Sequence, residues 1–542
     1  KKKKKIISIR TKALIFFFLM IQLVSVQAQE FNWATPVSGD GYEYGIKIAK
    51  DALGNTFILG YTTEHFFEYE GVTYASNGDG DAFFAKLDPN KQLVWMRPLG
   101  ANDAIYYDEA QDLHIDPFGD IYLSIRATGS SFRYNGMVLS GINSIGQYGG
   151  EAVLIKVNGD GDYLWHDSGT IGSSFRGITT DVDGNVYITG YFRQTITLGG
   201  SITLTNPSSG TTTDYLLAKY QPDGTIMWAK RAGGLPHNTF AYGHDLEINP
   251  QTNELIVLAL GEGEVFFDGV PMPSNGLTDN AALLISYELD GIQNWMQLVL
   301  VEDNYGYSSC TSLAISDSGI MGVCGTTVGM DPEGLVGFYN SDGSVISEHT
   351  YPAPYDLRLY SITFNEYDIA YVSGWCLDGG TLGIAPGTVT LNNTTGFIVR
   401  MDKHQQVRWV TEFAGSHFTN YIDYSNGELL YAGRFDEEFI YNSEQNVLVN
   451  NLGDAVYAQM IDDFLDVAEY IADEIAVYPN PTSGLLMIKS NALQKIEIYN
   501  VNGVCVKTTD KNEIDLSSNS PGIYLLKIIT DKGVATKKIV LK

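Results

Sequence analysis

Short runs of alternating apolar and polar residues recur along most of the chain. The runs are bounded by polar turns that contain Gly, Asn or Asp, as in DALGNTFILGYT (51–62) and DVDGNVYITGYF (181–192). A period of two is typical of a β-strand with one buried face, and Gly-Asn or Asp-Gly pairs between such runs are typical of hairpin turns. The pattern therefore predicts an all-β chain, and the likeness of the two stretches predicts a repeat.

An aliphatic residue three positions before each turn marks the same position in every repeat. These seven residues are Ile48, Leu113, Ile178, Leu246, Leu313, Ile362 and Ile422, spaced by 65, 65, 68, 67, 49 and 60 residues. Within a period there follow a strand, a variable hairpin, a third strand and a last strand built around Trp. The Trp positions are Trp95, Trp165, Trp228, Trp295 and Trp409. Four strands per repeat predict a seven-bladed β-propeller, because a ring buries sheet faces that one sheet alone leaves exposed.

The two ends of the repeat region complement each other. The seventh repeat ends after DAVYAQMIDDF without a Trp strand, whereas FNWATPV (31–37) holds an isolated Trp strand around Trp33. We therefore expect the N-terminal strand to complete the last blade and to close a ring over 29–464. A stack of open sheets is the alternative. The fifth repeat is short and lacks Trp in VISEHTY (345–351), so we expect it to be the irregular blade.

The repeats resemble the bacterial seven-bladed β-propeller repeat family, whose pattern is D-x-x-G-N-x-Y-x-x-G-Y followed by D-x-x-x-A-K-x-x-x-x-G-x-x-x-W. The third repeat matches this pattern best. Its matching residues are Asp181, Gly184, Asn185, Tyr187, Gly190, Asp214, Lys219, Gly224 and Trp228. The resemblance implies the fold and no particular activity.

The net charge and the composition of the chain change after residue 475. Residues 476–542 carry nine Lys and five acidic residues, a balance of +4, whereas residues 29–475 have a balance of −41. An acidic linker (465–475) separates the two parts. About six short alternating segments after YPNPTSG (478–484) predict a small Ig-like β-sandwich.

This end resembles the type A C-terminal sorting domain of the type IX secretion system of Bacteroidota. The matching residues are Tyr478, Pro479, Asn480, Pro481, Gly484, Gly503, Gly522, Tyr524, Lys537 and Lys538. The resemblance implies recognition by the type IX secretion machinery, and then secretion or attachment to the outer cell surface of a Gram-negative bacterium. Residues 1–28 read as the matching signal peptide, with a basic start, an apolar core and a cleavage site ending at Ala28.

The net charge of the chain limits the classes of partner that it can bind. Without the signal peptide the chain has 27 basic and 64 acidic residues, a balance of −37. Such a charge argues against nucleic acid or an anionic membrane surface as a partner. The apolar core of the signal is shorter than the roughly 20 residues of a membrane span, so we expect no transmembrane segment.

Two repeated patterns suggest chemistry, and both have a structural alternative. NGDGD (77–81), NGDGD (158–162) and DVDGN (181–185) begin like calcium loops but lack the later Gly and Glu. We therefore expect hairpin turns and no cofactor or metal, with calcium as the alternative. A second set recurs at one position of the third strand, namely Lys86, Lys156, Lys219 and Arg400. These cations either line a channel for an anionic ligand or, as we favour, form repeated ion pairs between blades.

The chain shows no catalytic motif: it has no GxSxG, P-loop, dinucleotide fingerprint or HExxH. We expect a binding or adhesion module, not an enzyme, that holds a glycan or surface protein through exposed inserts at 133–150 and 193–213. The alternatives are a surface polysaccharide hydrolase or lyase and a structural surface component. An enzyme would show carboxylates, His and Tyr facing one end of the central channel. Cys310 and Cys324 flank one hairpin and either form a disulfide or stay free.

Overall fold

The computed structural model describes residues 30–542 with internal gaps. The residues outside the description are 1–29, 103–106, 143–148, 208–211, 235–238, 274–279, 300–307, 328–331, 386, 392–394, 414–415, 437, 441–446, 450–452, 462–475, 490–492, 501–504, 518 and 531–532. The predicted signal peptide with Ala28, the acidic linker and Gly503 therefore lie outside the described residues. The chain divides into two compact units, residues 1–461 and 462–542.

The first unit is built from strands alone in its described part. The strands up to residue 232 are β1 (Phe31–Gly39), β2 (Glu43–Lys50), β3 (Thr56–Thr62), β4 (Phe66–Tyr69), β5 (Val72–Ala75), β6 (Ala82–Leu87), β7 (Leu93–Ala101), β8 (Glu109–Ile115), β9 (Ile121–Ala127), β10 (Phe132–Tyr134), β11 (Met137–Val138), β12 (Glu151–Val157), β13 (Tyr163–Ile171), β14 (Ser174–Thr180), β15 (Val186–Phe192), β16 (Thr195–Leu198), β17 (Ile202–Thr205), β18 (Asp214–Tyr220) and β19 (Ile226–Ala232).

The strands from residue 240 to the end of this unit are β20 (Phe240–Asn249), β21 (Glu254–Glu262), β22 (Phe266–Phe267), β23 (Val270–Pro271), β24 (Asn280–Tyr287), β25 (Gln293–Val299), β26 (Ser308–Ile315), β27 (Met321–Thr327), β28 (Gly334–Tyr339), β29 (Val345–Tyr351), β30 (Asp356–Phe364), β31 (Ala370–Leu377), β32 (Gly380–Leu382), β33 (Val389–Leu391), β34 (Thr395–Met401), β35 (Val407–Phe413), β36 (Ser416–Ser425), β37 (Glu428–Phe435), β38 (Glu438–Ile440), β39 (Val447–Val449) and β40 (Asp454–Ile461).

These strands form a seven-bladed β-propeller. In the described residues the seven blades are the antiparallel sets β2-β3-β6-β7, β8-β9-β12-β13, β14-β15-β18-β19, β20-β21-β24-β25, β26-β27-β28-β29, β30-β31-β34-β35 and β36-β37-β40-β1. The first strand of each blade contacts that of the next, and β36 contacts β2, so the ring closes. The predicted closure is confirmed, because β1 pairs with β40 and Trp33 lies opposite Gln459.

The core lies between neighbouring blades. All seven aliphatic register residues lie on the innermost strands and are buried. Ile48, for example, belongs to one apolar cluster with Phe83 of its own blade and Tyr457 of the seventh blade. Each sheet is therefore apolar on both faces along its second and third strands, which is why strands such as β6 and β12 read as nearly continuous apolar runs.

The predicted Trp residues lie on the outermost strands, and Trp95, Trp165, Trp228 and Trp295 cover a turn of the next blade. A Cβ atom built on Gly224 would lie 2.8 Å from Trp165, and one on Gly343 would lie 3.0 Å from Trp295. Both glycines also have a positive φ, +88° and +81°. A glycine is thus needed at this turn for its conformation and for the close approach of the indole.

The fifth blade keeps four strands, and it departs from the other blades at the position where its repeat lacks Trp. Ser347 stands at the register of the missing Trp, opposite Phe338. The turn of the next blade has Gln405 in place of Gly, with φ +60°. Its buried side-chain amide donates to Ser347 Oγ and Val336 O, both at 3.1 Å. Gln405 therefore fills the space that an indole takes elsewhere.

The repeated lysines of the third strand join blades, but the predicted ion pair between blades holds for Lys86 and not for Lys156 or Lys219. Lys86 Nζ lies 4.0 Å from Asp160 Oδ1 of the second blade. Lys219 Nζ lies 3.5 Å from Asp181 Oδ2 of its own blade and donates to Leu289 O of the next blade at 3.2 Å. Lys156 likewise pairs with Asp120 at 3.0 Å and donates to Pro222 O at 3.3 Å. The ion pairs of Lys156 and Lys219 stay within the blade because the turn carboxylate is nearer, and a carbonyl makes the link to the next blade.

The second unit is a β-sandwich. Its described strands are β41 (Ala476–Tyr478), β42 (Leu485–Lys489), β43 (Leu493–Asn500), β44 (Cys505–Thr509), β45 (Glu513–Asp515), β46 (Gly522–Thr530) and β47 (Gly533–Leu541). They form the sheets β41-β42-β45 and β44-β43-β46-β47, one strand more than the sequence predicts. Asn480 of the YPNP motif joins the last strand, because its side chain donates to Lys538 O at 2.8 Å and accepts from Val540 N at 3.0 Å.

Candidate functional site

The central channel of the propeller is the candidate site. Three cavities of about 260, 250 and 540 Å³ follow one another along the innermost strands. We call the end where these strands begin the upper mouth and the end where they turn into hairpins the lower mouth. The upper mouth is lined by Gln111, Arg176, His244, Thr311 and Tyr360. The lower mouth is lined by Glu247, Asp317, Glu366, Asp423 and Tyr424.

A β-bulge at one position of each innermost strand places the upper-mouth residues. In the first six blades the bulged residues are Ile46, Gln111, Arg176, His244, Thr311 and Tyr360. Side chains of a regular strand alternate between its faces, so consecutive residues point apart. At a bulge this alternation breaks, and His244 and Asp245 both line the channel, as do Thr311 and Ser312.

Arg176 is the cation at the upper mouth. Its guanidinium lies 5.2 Å from the ring centre of Tyr191 and 5.4 Å from that of Tyr242. One Nη of Arg176 donates to His244 Nε2 at 3.1 Å. Burial and the charge of Arg176 lower the pKa of His244 well below its usual range, so this imidazole is neutral and acts as the acceptor.

A stack of tyrosines extends outward at the start of the first two blades. The rings of Tyr44 and Tyr61 lie 4.7 Å apart at 15°, and those of Tyr61 and Tyr107 lie 5.5 Å apart at 8°. Arg434 of the seventh blade covers the other side, 4.3 Å from the ring of Tyr42 and 5.0 Å from that of Tyr44. We call these four tyrosines the tyrosine stack. Its two ends are exposed, Tyr42 by 47% and Tyr107 by 36%.

Glu109 interacts with both the tyrosine stack and the upper mouth. Glu109, which raises the pKa of Tyr61 together with burial, accepts from Gln111 Nε2 at 3.4 Å. Gln111 in turn lines the same cavity as Arg176. Tyrosine rings, an arginine and an amide group therefore meet at this end of the ring.

An ion pair occupies the middle of the channel. Lys47 Nζ lies 2.9 Å from Asp112 Oδ1 and 3.9 Å from the ring centre of Tyr421. Burial opposes the charged ammonium, yet Asp112, Tyr421 and Asp245 together raise the pKa of Lys47. Lys47 therefore stays charged inside the channel.

Carboxylates of the channel also hold the blades together. Asp112 Oδ2 accepts from Ile178 N at 2.8 Å, and Asp245 Oδ2 accepts from Leu313 N at 2.9 Å, in each case across the blade boundary. Glu247 Oε2 accepts from Ile315 N at 2.7 Å in the same way. These side chains satisfy amides of innermost strands that have no neighbouring strand on the channel side.

The lower half of the channel is acidic and partly protonated. Burial raises the pKa of Glu247 to about 8, with a further rise from Asp245. Burial also raises the pKa of Asp423 to about 6, although Lys47 opposes the rise. The pKa of His114 is lowered to about 4 by burial, so this histidine is neutral at pH 7. The channel thus runs from Arg176 at one mouth to carboxyl groups at the other.

Sequence reasoning missed these channel residues. The signal that could have found them is a pair of adjacent polar residues directly before the aliphatic register residue, as in His244-Asp245 before Leu246 and Thr311-Ser312 before Leu313. Such pairs break the alternation of a strand and mark a bulge.

The Asp-Gly turns use their side-chain oxygens within the turn. Asp181 Oδ1 accepts from Asp183 N at 3.1 Å and Asn185 N at 2.9 Å. Asn158 Oδ1 accepts from Asp162 N at 2.8 Å. Within the part of the chain that the structure describes, no group of three or more His, Cys, Asp or Glu is arranged to hold a metal ion.

The two inserts expected to be exposed binding loops are partly buried hairpins. The hairpin β10–β11 pairs with β7 of the preceding blade and buries Phe132 and Tyr134. The hairpin β16–β17 buries Ile196 and Leu198 and contacts β13. The inserts therefore cover the outer edges of neighbouring blades, a protection that exposed sheet edges need.

The cysteines of the fifth blade are buried thiols in the structure. Cys310 lies opposite Gly325, and Cys324 lies opposite Ser312 on the paired strand. Burial raises the pKa of Cys310 to about 12, so its thiol is not ionised at neutral pH.

Comparison with known proteins identifies the second unit. Residues 476–542 match the secretion system C-terminal sorting domain. This domain marks proteins that Bacteroidota export by type IX secretion, so the protein interacts with that machinery and is secreted or lies at the cell surface. Among the described residues, none forms a helix long and apolar enough to cross a membrane.

Comparisons of the remaining chain are distant. An uncharacterized WD repeat-containing protein of Acanthamoeba polyphaga mimivirus is 21% identical over 260 residues, which cover 42% of this chain and only 18% of that protein. A protein of unknown function from Dyadobacter fermentans is 9% identical with a TM-score of 0.38, covering 65% of this chain and 94% of its own.

Two further solved structures that are distantly similar to this chain belong to named proteins. An ulvan lyase from a new family of polysaccharide lyases is 11% identical with a TM-score of 0.38, covering 75% of this chain and 91% of its own. Raptor of Chaetomium thermophilum is 9% identical with a TM-score of 0.39, covering 81% of this chain and 29% of its own.

Proposed function

We propose that this protein is an exported glycan-binding module without catalysis of its own, and that the glycan binds at the upper mouth. The tyrosine stack supports the proposal most directly. Tyr107 ends a row of nearly parallel rings, and 36% of its surface is exposed. A sugar ring has an apolar face of C–H groups rimmed by hydroxyls, and a tyrosine offers both an apolar ring and a polar tip to such a ligand.

Rigidity of the platform favours binding. Tyr61 is held between Tyr44 and Tyr107, and Arg434 Nη1 donates to the hydroxyl of Tyr44 at 2.8 Å. Rings that are already fixed lose little conformational entropy when a ligand stacks on them. We further propose that the ring belongs to the bacterial seven-bladed β-propeller repeat family and that glycan binding serves adhesion at the cell surface.

A glycan array with the mature chain, residues 29–542, tests the proposal in the presence and absence of calcium. Tyr107→Ala should lower the affinity for any glycan that binds by at least about tenfold, because it removes the exposed end of the stack. Phe118→Ala is the matched control, since Phe118 is a 69% exposed aromatic residue on a turn at the lower mouth. Silence on the whole array, or an unchanged affinity of the Tyr107 variant, would contradict the proposal.

A polysaccharide-cleaving enzyme is the second candidate. The feature that favours it is the set of carboxyl groups, His114 and Tyr421 that line the channel. Against it, Asp112, Asp245 and Glu247 already accept hydrogen bonds from backbone amides of the next blade. Release of new reducing ends or unsaturated sugars from a bound polysaccharide would establish the enzyme.

A further inference from the structure

We infer that the upper mouth contains an anion subsite, in which Arg176 binds a carboxylate or sulfate group of an acidic polysaccharide. The polysaccharide part of this inference rests on the proposed function, whereas the subsite for the anion rests on Arg176 and its surroundings alone.

The guanidinium of Arg176 has N–H groups that donate no hydrogen bond within the described residues. A guanidinium carries five N–H donors in a planar fork. One of them is given to His244, and the buried Nε of Arg176 has no hydrogen-bond partner among the described residues. Since His244 is neutral, it accepts a hydrogen bond without balancing the charge.

Five other arginines of the propeller are balanced by a carboxylate. Arg126 pairs with Glu109 at 3.3 Å, Arg231 with Asp214 at 2.7 Å and Arg358 with Asp356 at 2.9 Å. Arg408 and Arg434 each pair with an aspartate at 2.9 Å. Arg97, Arg133 and Arg193 resemble Arg176 in having a buried Nε without a partner among the described residues, but of these four only Arg176 lines the channel cavity. Within the described part of the chain, Arg176 has the faces of Tyr191 and Tyr242 beside it and no ion pair. A ligand anion would supply the missing charge.

The cavity beside Arg176 suits a charged group of a sugar. Its volume of about 260 Å³ is many times the minimum for one water molecule. The remaining lining is polar and includes Gln111, Thr311 and Tyr360. Asp245 shares the cavity, but its carboxylate is held by the amides of Leu246 and Leu313 and lies in the field of Lys47.

Carboxylates and sulfates both fit a guanidinium, because each offers two oxygens to the parallel N–H bonds of the fork. The tyrosine rings on either side exclude water and strengthen this contact. The same geometry gives a neutral sugar no comparable advantage. The ligand class that fits is therefore an acidic polysaccharide, and its charged group would enter the channel while neighbouring sugars lie toward the tyrosine stack.

Titration calorimetry with the mature chain tests the inference against matched pairs of polymers. The acidic probes are polygalacturonate and dextran sulfate, and the neutral counterparts are fully methyl-esterified polygalacturonate and dextran. Arg176→Met should lower the affinity for one or both acidic probes by at least about tenfold and leave the neutral probes within about threefold. Arg126→Met is the control, because this arginine at the same end is already paired with Glu109.

Binding of inorganic sulfate, measured by equilibrium dialysis, separates the two proposals. If wild type binds sulfate, Arg176→Met does not, and no polymer binds, the anion subsite stands and the glycan function fails. If polymers bind without preference for charge and Arg176→Met changes nothing, the inference is overturned while the glycan function stands. Arg176→Lys keeps the charge and should keep part of the affinity. If Arg176→Met does not fold, the affinity of wild type for the acidic probes is measured at rising salt concentration. An affinity that does not change with salt would overturn the inference.

Discussion

Replacing Glu43 by Gln should make the propeller more stable at alkaline pH and less stable at acidic pH. Glu43 begins the innermost strand of the first blade and is fully buried. Its Oε1 accepts from the hydroxyl of Thr62 at 2.8 Å, and its Oε2 has no partner among the described residues. Burial, together with the charges of Asp454 and Asp40, raises the pKa of Glu43 from 4.5 to about 8.

The sign follows from proton linkage. The folded chain holds the proton of Glu43 more tightly than the unfolded chain, so folding stability falls as the pH rises from 4.5 to about 8. A pKa difference of this size corresponds to roughly 5 kcal/mol if nothing relaxes. Gln keeps the shape and the acceptor for Thr62 but adds an amide donor, whose burial takes back about 1–3 kcal/mol. We therefore expect a gain of about 2 kcal/mol at pH 8.5.

Urea denaturation followed by tryptophan fluorescence measures this gain. All seven Trp residues lie between positions 33 and 409, so the signal reports the propeller and not the sorting domain. The stability difference between Glu43→Gln and wild type should be a loss of about 1–3 kcal/mol at pH 4.5, where Glu43 is protonated, and should rise steadily to a gain at pH 8.5. Glu264→Gln, at an exposed position, should show no such rise. A difference that is constant with pH, or that falls toward alkaline pH, would refute the reasoning.

Three further predictions concern the joints of the ring. Gln405→Ala should cost about 2–3 kcal/mol in urea denaturation, since it empties a buried site and unpairs Val336 O, whereas His404→Ala should cost little. Lys219→Met should lower the free energy of unfolding by about 3 kcal/mol, because it leaves the buried carboxylate of Asp181 without its cation. The more exposed Lys230→Met should lower it by less than about 1 kcal/mol, and equal losses would contradict this prediction. Removing residues 1–39 should expose the edge of β40 and make the protein associate, which analytical ultracentrifugation would detect. Removal of residues 1–28 alone should cause no association.

Several features were readable from the sequence because they depend on neighbours along the chain. The period of two, the Gly-containing turns and the aliphatic register residues define each strand and its order in the blade. The lone Trp33 strand identified the partner of β40, since a missing strand and a spare strand of one type stood at opposite ends. The YPNP motif likewise marked the sorting domain that the family comparison finds.

Other features were decided by the tertiary structure alone. The bulges at His244 and Thr311 insert one residue into the strand, which turns two consecutive side chains toward the channel against the simple alternation. The tyrosine stack joins Tyr61 of the first blade to Tyr107 before the second and to Arg434 of the seventh. Residues that far apart along the chain meet only when the ring closes, so repeat and composition determined the fold, while ring closure and bulges decided which side chains form the site.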